Sequence, residues 1–253
     1  MDPYCTLNQS DAVATIEFGS PAHNALSSRI LEQLCGHLDR IKQEPEIKIV
    51  LIHSLGDRSF CAGADLNELV NLQDELGGKK FFFQFARTII AMRSCPQLII
   101  TRVQGKAVGG ALGLVAAADL AYATDQASIR LSELINGIGP FVVGPAIERK
   151  TGIAAFSHLA LNPASWFPAS WAMDHGLFNE VFHIPEAMDE RISVKIDEFR
   201  EYSRSALQEV KKMLWSGTPD WKGLLESRAA ISGRLVMTKE SKEAISKLVH
   251  PGK

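Results

Sequence analysis

The sequence predicts an α/β protein in which strand–helix–strand turns are followed by a run of helices. Three observations carry this. Short alternating or β-branched apolar runs separated by stretches of helical spacing occur twice within the first hundred residues, and a glycine-rich stretch begins a third turn. From Pro185 onward the pattern changes to charged amphipathic helices. A chain of 253 residues, 46% hydrophobic and 22% charged, has the balance of a globular protein and is long enough for one large domain, or one domain plus an appendage. No repeat of sequence underlies the rhythm.

The elements follow in order. Residues 12–18 alternate, with Ala12, Ala14, Ile16 and Phe18 on one face, as a strand requires. GSPAHNAL is turn-rich. Ser27 or Ser28 then caps a helix whose Ile30, Leu31, Leu34, Leu38 and Ile41 keep helical spacing until Pro45. Residues 47–52 read as a buried strand by length and β-branching. Residues 59–62 close another strand, and Gly63 lets the backbone turn tightly. Asp65 and Glu68 have capping-box spacing for a helix from Leu66. LQDELGGKK is expected to be a polar, glycine-containing loop, serving as a mobile lid or a pocket edge. Residues 79–93 form a helix carrying Phe82, Phe85, Ile89 and Met92, with Phe81 to Phe83 assigned to core packing. Pro96 breaks that helix, and residues 98–104 form a strand.

The stretch from Gln104 to Glu133 organises the rest. Gly109 and Gly110 stand where a turn meets a helix, and free N–H groups at a helix start form a preset anion site. The small residues of 111–118 give that helix a thin body that can lie deep in the protein. Two short strands follow, then a lone Glu133 in the mostly apolar LSELINGIGP, where desolvation is expected to raise its pKa. An oxyanion hole followed by one acid/base suits chemistry beside a thioester carbonyl. Beyond it, glycines and prolines make a bent connector. Helical segments are expected at 146–150 and 153–161, a C-cap at Gly176, and a short strand at 178–182. Helices at 186–201, 204–215, 220–233 and 239–249 complete the chain. A boundary is placed near residue 190, dividing a core at 1–190 from an oligomerisation region at 191–253, because thin helices with little core of their own pack on another subunit. Asp119 is expected to cap or pair structurally, and the Lys211–Lys212 pair to lie on a solvated face.

Composition excludes several classes. A formal net charge of −2, with no basic run, gives no support to a nucleic-acid partner. The four cysteines show no paired spacing, so they read as free thiols in a reducing, cytoplasmic compartment. Seven scattered histidines form no metal-binding pattern, so no metal is expected. The N-terminus lacks a basic-then-apolar signal, and the longest apolar run, 107–118, is too short to span a bilayer, so no membrane partner is expected.

Together, NAL at 24–26, SFCAGADL at 59–66, GKAVGGALGLVAAADLAYA at 105–123 and LSE at 131–133 resemble the enoyl-CoA hydratase/isomerase, or crotonase, family, and TKESKEAISKL resembles its last helix. The resemblance covers nearly the whole chain in the right order. It implies a crotonase-like spiral of ββα turns with a C-terminal helical trimerisation region, assembled as a homotrimer or homohexamer. It also implies acyl-CoA thioester substrates, CoA being part of the substrate and no separate cofactor. Carried over residue by residue, the oxyanion amides fall on Ala64 and Gly110. Ala25, Ala62, Asp65 and Leu66 line the CoA groove beside Gly109, and Glu133 matches the second catalytic glutamate. One departure matters: two-glutamate hydratases carry their first glutamate at the position of Gly113.

One glutamate is enough for two reactions. It can activate water for addition at C3 and return a proton to C2, or shuttle a proton between C2 and C4. LSELINGIGPFVVGPAI resembles a hydratase subgroup that lacks the first glutamate and acts on branched or acidic enoyl-CoAs such as 3-methylglutaconyl-CoA. Hydration is therefore the expected reaction and isomerisation the alternative. A non-catalytic trimeric scaffold or RNA-binding relative is the reading from a different class.

Overall fold

The computed structural model describes residues 2–250 and has α/β architecture. The chain opens with β1 (Tyr4–Ser10), antiparallel to β2 (Val13–Gly19). Helix α1 (Ser28–Ile41) begins at Ser27, whose hydroxyl accepts from the Ile30 amide, and buries the expected apolar stripe. Then come β3 (Ile49–Ser54), β4 (Ser59–Cys61), α2 (Leu66–Val70) and α3 (Glu75–Ser94). The third turn holds β5 (Leu98–Val103), β6 (Lys106–Val108), α4 (Gly110–Ala117), β7 (Leu120–Thr124) and β8 (Ser128–Arg130). After it come α5 (Gly144–Leu161), interrupted by non-helical Gly152, then β9 (Phe167–Pro168), α6 (Ala169–Asp174) and β10 (Glu180–Phe182). The last helices are α7 (Pro185–Glu201), α8 (Arg204–Leu214), α9 (Trp221–Leu235) and α10 (Lys239–Val249).

Two sheets result. The larger has the order β1-β2-β3-β5-β7-β10 and is parallel from β2 onward; the smaller has the order β4-β6-β8-β9. The larger sheet is buried on both faces, which is why its central strands read as continuous apolar runs. Ile16, Val50, Ile99 and Ala121 face the main core, while Val13, Ile49, Ile100 and Tyr122 face Met188, Ile192 and Ile196 of α7. Helix α7 therefore crosses position 190 as one body packed on the sheet. Trp221, Leu225 and Ala229 of α9 and Ile245 of α10 join the main core.

Four sequence expectations change. Residues 75–78 are the first turn of α3, capped by the Asp74 carboxylate on the Gly77 amide at 2.7 Å, and not a mobile loop. Gly77 and Gly78 look like loop residues, but Gly78 is where α9 crosses: a Cβ there would lie 2.7 Å from the Gly233 carbonyl oxygen. Glu68 does not complete a capping box at Asp65. It accepts from the Ser28 amide at 3.0 Å and the Ser28 hydroxyl at 2.7 Å, joining α2 to the start of α1. Lys211 is not solvated. It is 2% exposed, and its ammonium lies 2.9 Å from Asp119 Oδ2 and donates to the Gln97 carbonyl at 2.7 Å. Asp119 also accepts from the Ile99 amide at 2.7 Å, so the buried pair ties α8 to the end of α4 and the start of β5 with its polar atoms satisfied. Finally, the structure adds β1, which the sequence reading did not identify.

Candidate active site

The site forms where β4 and β6 of the smaller sheet end. After β4, Gly63 takes φ +90°, and a Cβ there would stand 2.8 Å from the Val108 carbonyl oxygen, so only glycine fits. Leu26 and Ala64 form a parallel bridge: the Leu26 amide donates to Gly63 O at 2.7 Å and the Asp65 amide to Leu26 O at 3.1 Å. Those bonds use the groups flanking Ala64, whose own N–H finds no acceptor among the described residues. The Gly110 N–H is equally free, because it opens α4 and has no helical acceptor. The two loops approach closely: the Cβ position of Gly63 is 3.7 Å from the Gly110 nitrogen. Phe85 of α3 packs onto Gly110 so tightly that a Cβ at 110 would lie 3.0 Å from its Cδ1.

Glu133 begins the turn after β8, its carbonyl accepting from the amides of Asn136 at 3.0 Å and Ile138 at 3.1 Å. Its carboxylate turns back toward Gly109, where a Cβ would lie 3.0 Å from Oε1. Although the residue as a whole is only half-buried, Oε2 is fully buried and has no hydrogen-bond partner among the described residues. Burial without a counter-charge pushes the Glu133 pKa up to about 7, which suits a group that takes and returns protons near neutrality.

Ala64, Gly110 and Glu133 line a single cavity of about 880 Å³. Ala62, Leu66 and Gly109 line it too. Ala25 and Asp65 lie outside its lining. Ala25 is buried, and Asp65 is the N-cap of α2, accepting from the Asn67 amide at 2.9 Å. Phe82 and Phe85 form part of the wall, whereas Phe81 packs in the core. Gly113 is buried against Val143, so that a Cβ would sit 2.6 Å from Val143 Cγ1. The position at which the resemblance looks for a first glutamate is thus closed by a side chain thirty residues away in sequence. Cys61 lines the cavity, but burial pushes its thiol up to about 12, which keeps it protonated and unreactive.

Sequence reasoning did not find Lys106, Arg130 and Trp166, which share the cavity wall. The signal was the alternation within two very short strands, legible only once β6 is known to pair with β8. Among the described residues no group of three or more His, Cys, Asp or Glu side chains is placed to hold a metal, and no helix is long and apolar enough to cross a membrane.

Known proteins resemble this chain in sequence and in fold. The family model described as enoyl-CoA hydratase/isomerase matches residues 8–247. A Bacillus subtilis protein named "Probable enoyl-CoA hydratase" is 29% identical over 235 residues, 92% of this chain and 90% of its own. A peroxisomal Delta(3,5)-Delta(2,4)-dienoyl-CoA isomerase of Arabidopsis thaliana is 26% identical over 214 residues, 76% of this chain and 75% of its own. The crystal structure of an enoyl-CoA hydratase from Bacillus halodurans superposes with a TM-score of 0.89 at 20% identity, covering 96% of this chain and 99% of that one, a likeness of fold.

Proposed function

We propose that this protein, which belongs to the enoyl-CoA hydratase/isomerase family, adds water to a 2-enoyl-CoA using one glutamate. The observation that carries the reading is the Glu133 carboxylate, whose buried Oε2 has no hydrogen-bond partner among the described residues, in the same cavity as the free amides of Ala64 and Gly110. In the reaction the thioester oxygen accepts from those two amides. As water adds at C3, electron density moves from the C2–C3 double bond onto that oxygen, where fixed N–H dipoles stabilise it without reorganisation. Glu133 takes a proton from the attacking water and returns one to C2, completing the hydration.

Branched or acidic 2-enoyl-CoAs of the 3-methylglutaconyl-CoA type are the proposed substrate class. The support is the absence of a carboxylate at Gly113, together with the resemblance of residues 131–147 to the subgroup that shares this absence. Isomerisation is the second reading, favoured by the same lone carboxylate, since moving a proton between C2 and C4 needs only one base. Reaction in heavy-oxygen water separates the two. Hydration is expected to leave one heavy oxygen in the C3 hydroxyl of the product; a shifted double bond with no heavy oxygen would replace hydratase by isomerase. The proposed partners are the thioester substrate and further copies of this chain, with residues 191–253 as the proposed oligomerisation region.

A further inference from the structure

Arg58, Lys106 and Arg130 line the cavity wall, none of them in an ion pair among the described residues, and the last two meet on one aromatic ring. The guanidinium carbon of Arg130 lies 4.5 Å from the centre of the Trp166 ring, and the Lys106 ammonium 5.0 Å from the same centre. Strand register explains the convergence. Val108 pairs with Arg130 and Ile129 with Phe167, so side chains from β6, β8 and the residue before β9 meet on one face of the smaller sheet. Lys106, two residues from Val108, shares that face. Trp166 attracts both cations through its ring, but two like charges on one indole repel each other unless an anion joins them. No ion pair is made by either among the described residues, and Arg130 Nε is buried with no hydrogen-bond partner. Asp57 lines the same cavity without pairing with either cation. Nor do they serve Glu133, whose raised pKa comes from burial and is offset only by its own backbone.

We propose that Arg130, stacked on Trp166 and assisted by Lys106, binds an anionic oxygen group of the thioester ligand. The group is a carboxylate on the acyl chain or a phosphate of CoA. The proposal rests on the acyl-CoA reading and adds a specificity-determining residue to it. Arg130 follows from the geometry as the principal contact, since its fork presents several donors to one planar or tetrahedral anion and its Nε is already desolvated. The Gly109 amide donates to the Arg130 carbonyl at 2.9 Å, so the Arg130 backbone adjoins the turn that holds the reaction centre, and its side chain lines the same cavity.

The test uses saturated ligands that do not react. Calorimetry measures binding of butyryl-CoA, glutaryl-CoA and butyryl-dephospho-CoA to wild type, Arg130→Gln and Arg130→Lys. A charge-assisted contact predicts a loss of about tenfold or more in Arg130→Gln, recovered only in part in Arg130→Lys, which keeps the charge but not the fork. If the anion is the acyl carboxylate, the loss falls on glutaryl-CoA alone. If it is the 3′-phosphate, both full CoA ligands lose and the dephospho ligand does not; if it is the diphosphate, all three lose and lysine restores part of the binding of all three. Unchanged binding of every ligand by Arg130→Gln overturns the proposal, as does an equal loss that lysine leaves unrestored, which marks a packing defect. Wild type that binds no CoA ligand would overturn the acyl-CoA reading and this proposal together, so the two failures are distinguishable.

Discussion

Glu133 holds its proton to a higher pH than a free glutamate, and this has consequences for both activity and stability. The cause is loss of water around a carboxylate that has gained no cation. In the hydration direction the ionised form is the base, so kcat/KM is expected to rise with pH through about 7 and then level. For stability the sign is opposite. The folded protein binds the proton more tightly than the unfolded chain, so stability falls as pH rises from about 4.5 to about 7 and stays lower above it. Glu133→Gln removes the charge and the penalty. It is expected to lose activity by about 10²–10⁴. At pH 8 it should also gain stability of order 3 kcal/mol over wild type, and almost none below pH 4.5, by denaturant melts at the two pH values. Wild-type turnover in the variant would remove Glu133 from the mechanism. Sequence singled out this residue by its place after the glycine helix and by the family resemblance, since a carboxylate taken alone reads as a surface group; the resemblance likewise marked the missing acid at Gly113. Val143, which fills the space beside Gly113, was not: nothing local links residues thirty positions apart. Arg130 was missed because a cation in a three-residue strand carries no facing information until its neighbours are known.

At the scale of elements, one close helix crossing shapes the site. Helices α3 and α9 meet at Gly78 and Gly233; a Cβ at 233 would lie 2.7 Å from Lys79 Cα and 2.9 Å from the Gly78 carbonyl carbon. The opposing atoms are backbone and cannot rotate away. From this crossing α3 sends Phe82 and Phe85 to the cavity wall, and α9 adds Ser232. Gly233→Ala gains helix propensity of about 1 kcal/mol but must push the helices apart. Overpacking is expected to outweigh that gain and leave a net loss of about 1–3 kcal/mol. The shifted aromatic wall should raise KM more than it lowers kcat. Thermal melts and steady-state kinetics on the variant check both; an unchanged melting temperature would mean that the crossing has slack. Helix spacing made α3 visible from sequence, but its first turn was hidden because Gly77 and Gly78 favour loops in isolation and are selected here by contact. Strand β1 was hidden for the reverse reason: as the edge of the sheet, its TLNQS is mostly exposed and shows no apolar alternation.

For the whole molecule, the last four helices divide their labour, a division the sequence could not show because amphipathic spacing reveals an apolar stripe but not its partner. Helix α7 covers the second face of the larger sheet, and α9 and α10 pack into the main core of their own chain. Helix α8 is anchored from one side by the buried Lys211–Asp119 pair and by Trp215, 5% exposed. Its other side presents Val210, Met213 and Leu214, which are 46%, 63% and 48% exposed. These positions, three and four residues apart, share one helix face. An exposed apolar stripe beside a rigid anchor fits an interface better than a solvent face, since burying it against another copy contributes roughly 25 cal/mol per Å². The proposed oligomerisation region therefore predicts a homotrimer, or a homohexamer, by multi-angle light scattering at micromolar concentration. Val210→Glu combined with Met213→Glu places two carboxylates within that interface and is expected to shift the mass toward the monomer. The two changes touch neither Lys211 nor Trp215, so the monomer should keep its far-ultraviolet circular dichroism. A wild-type monomer at micromolar concentration would end the assembly proposal, and a double variant with unchanged mass would move the interface off α8.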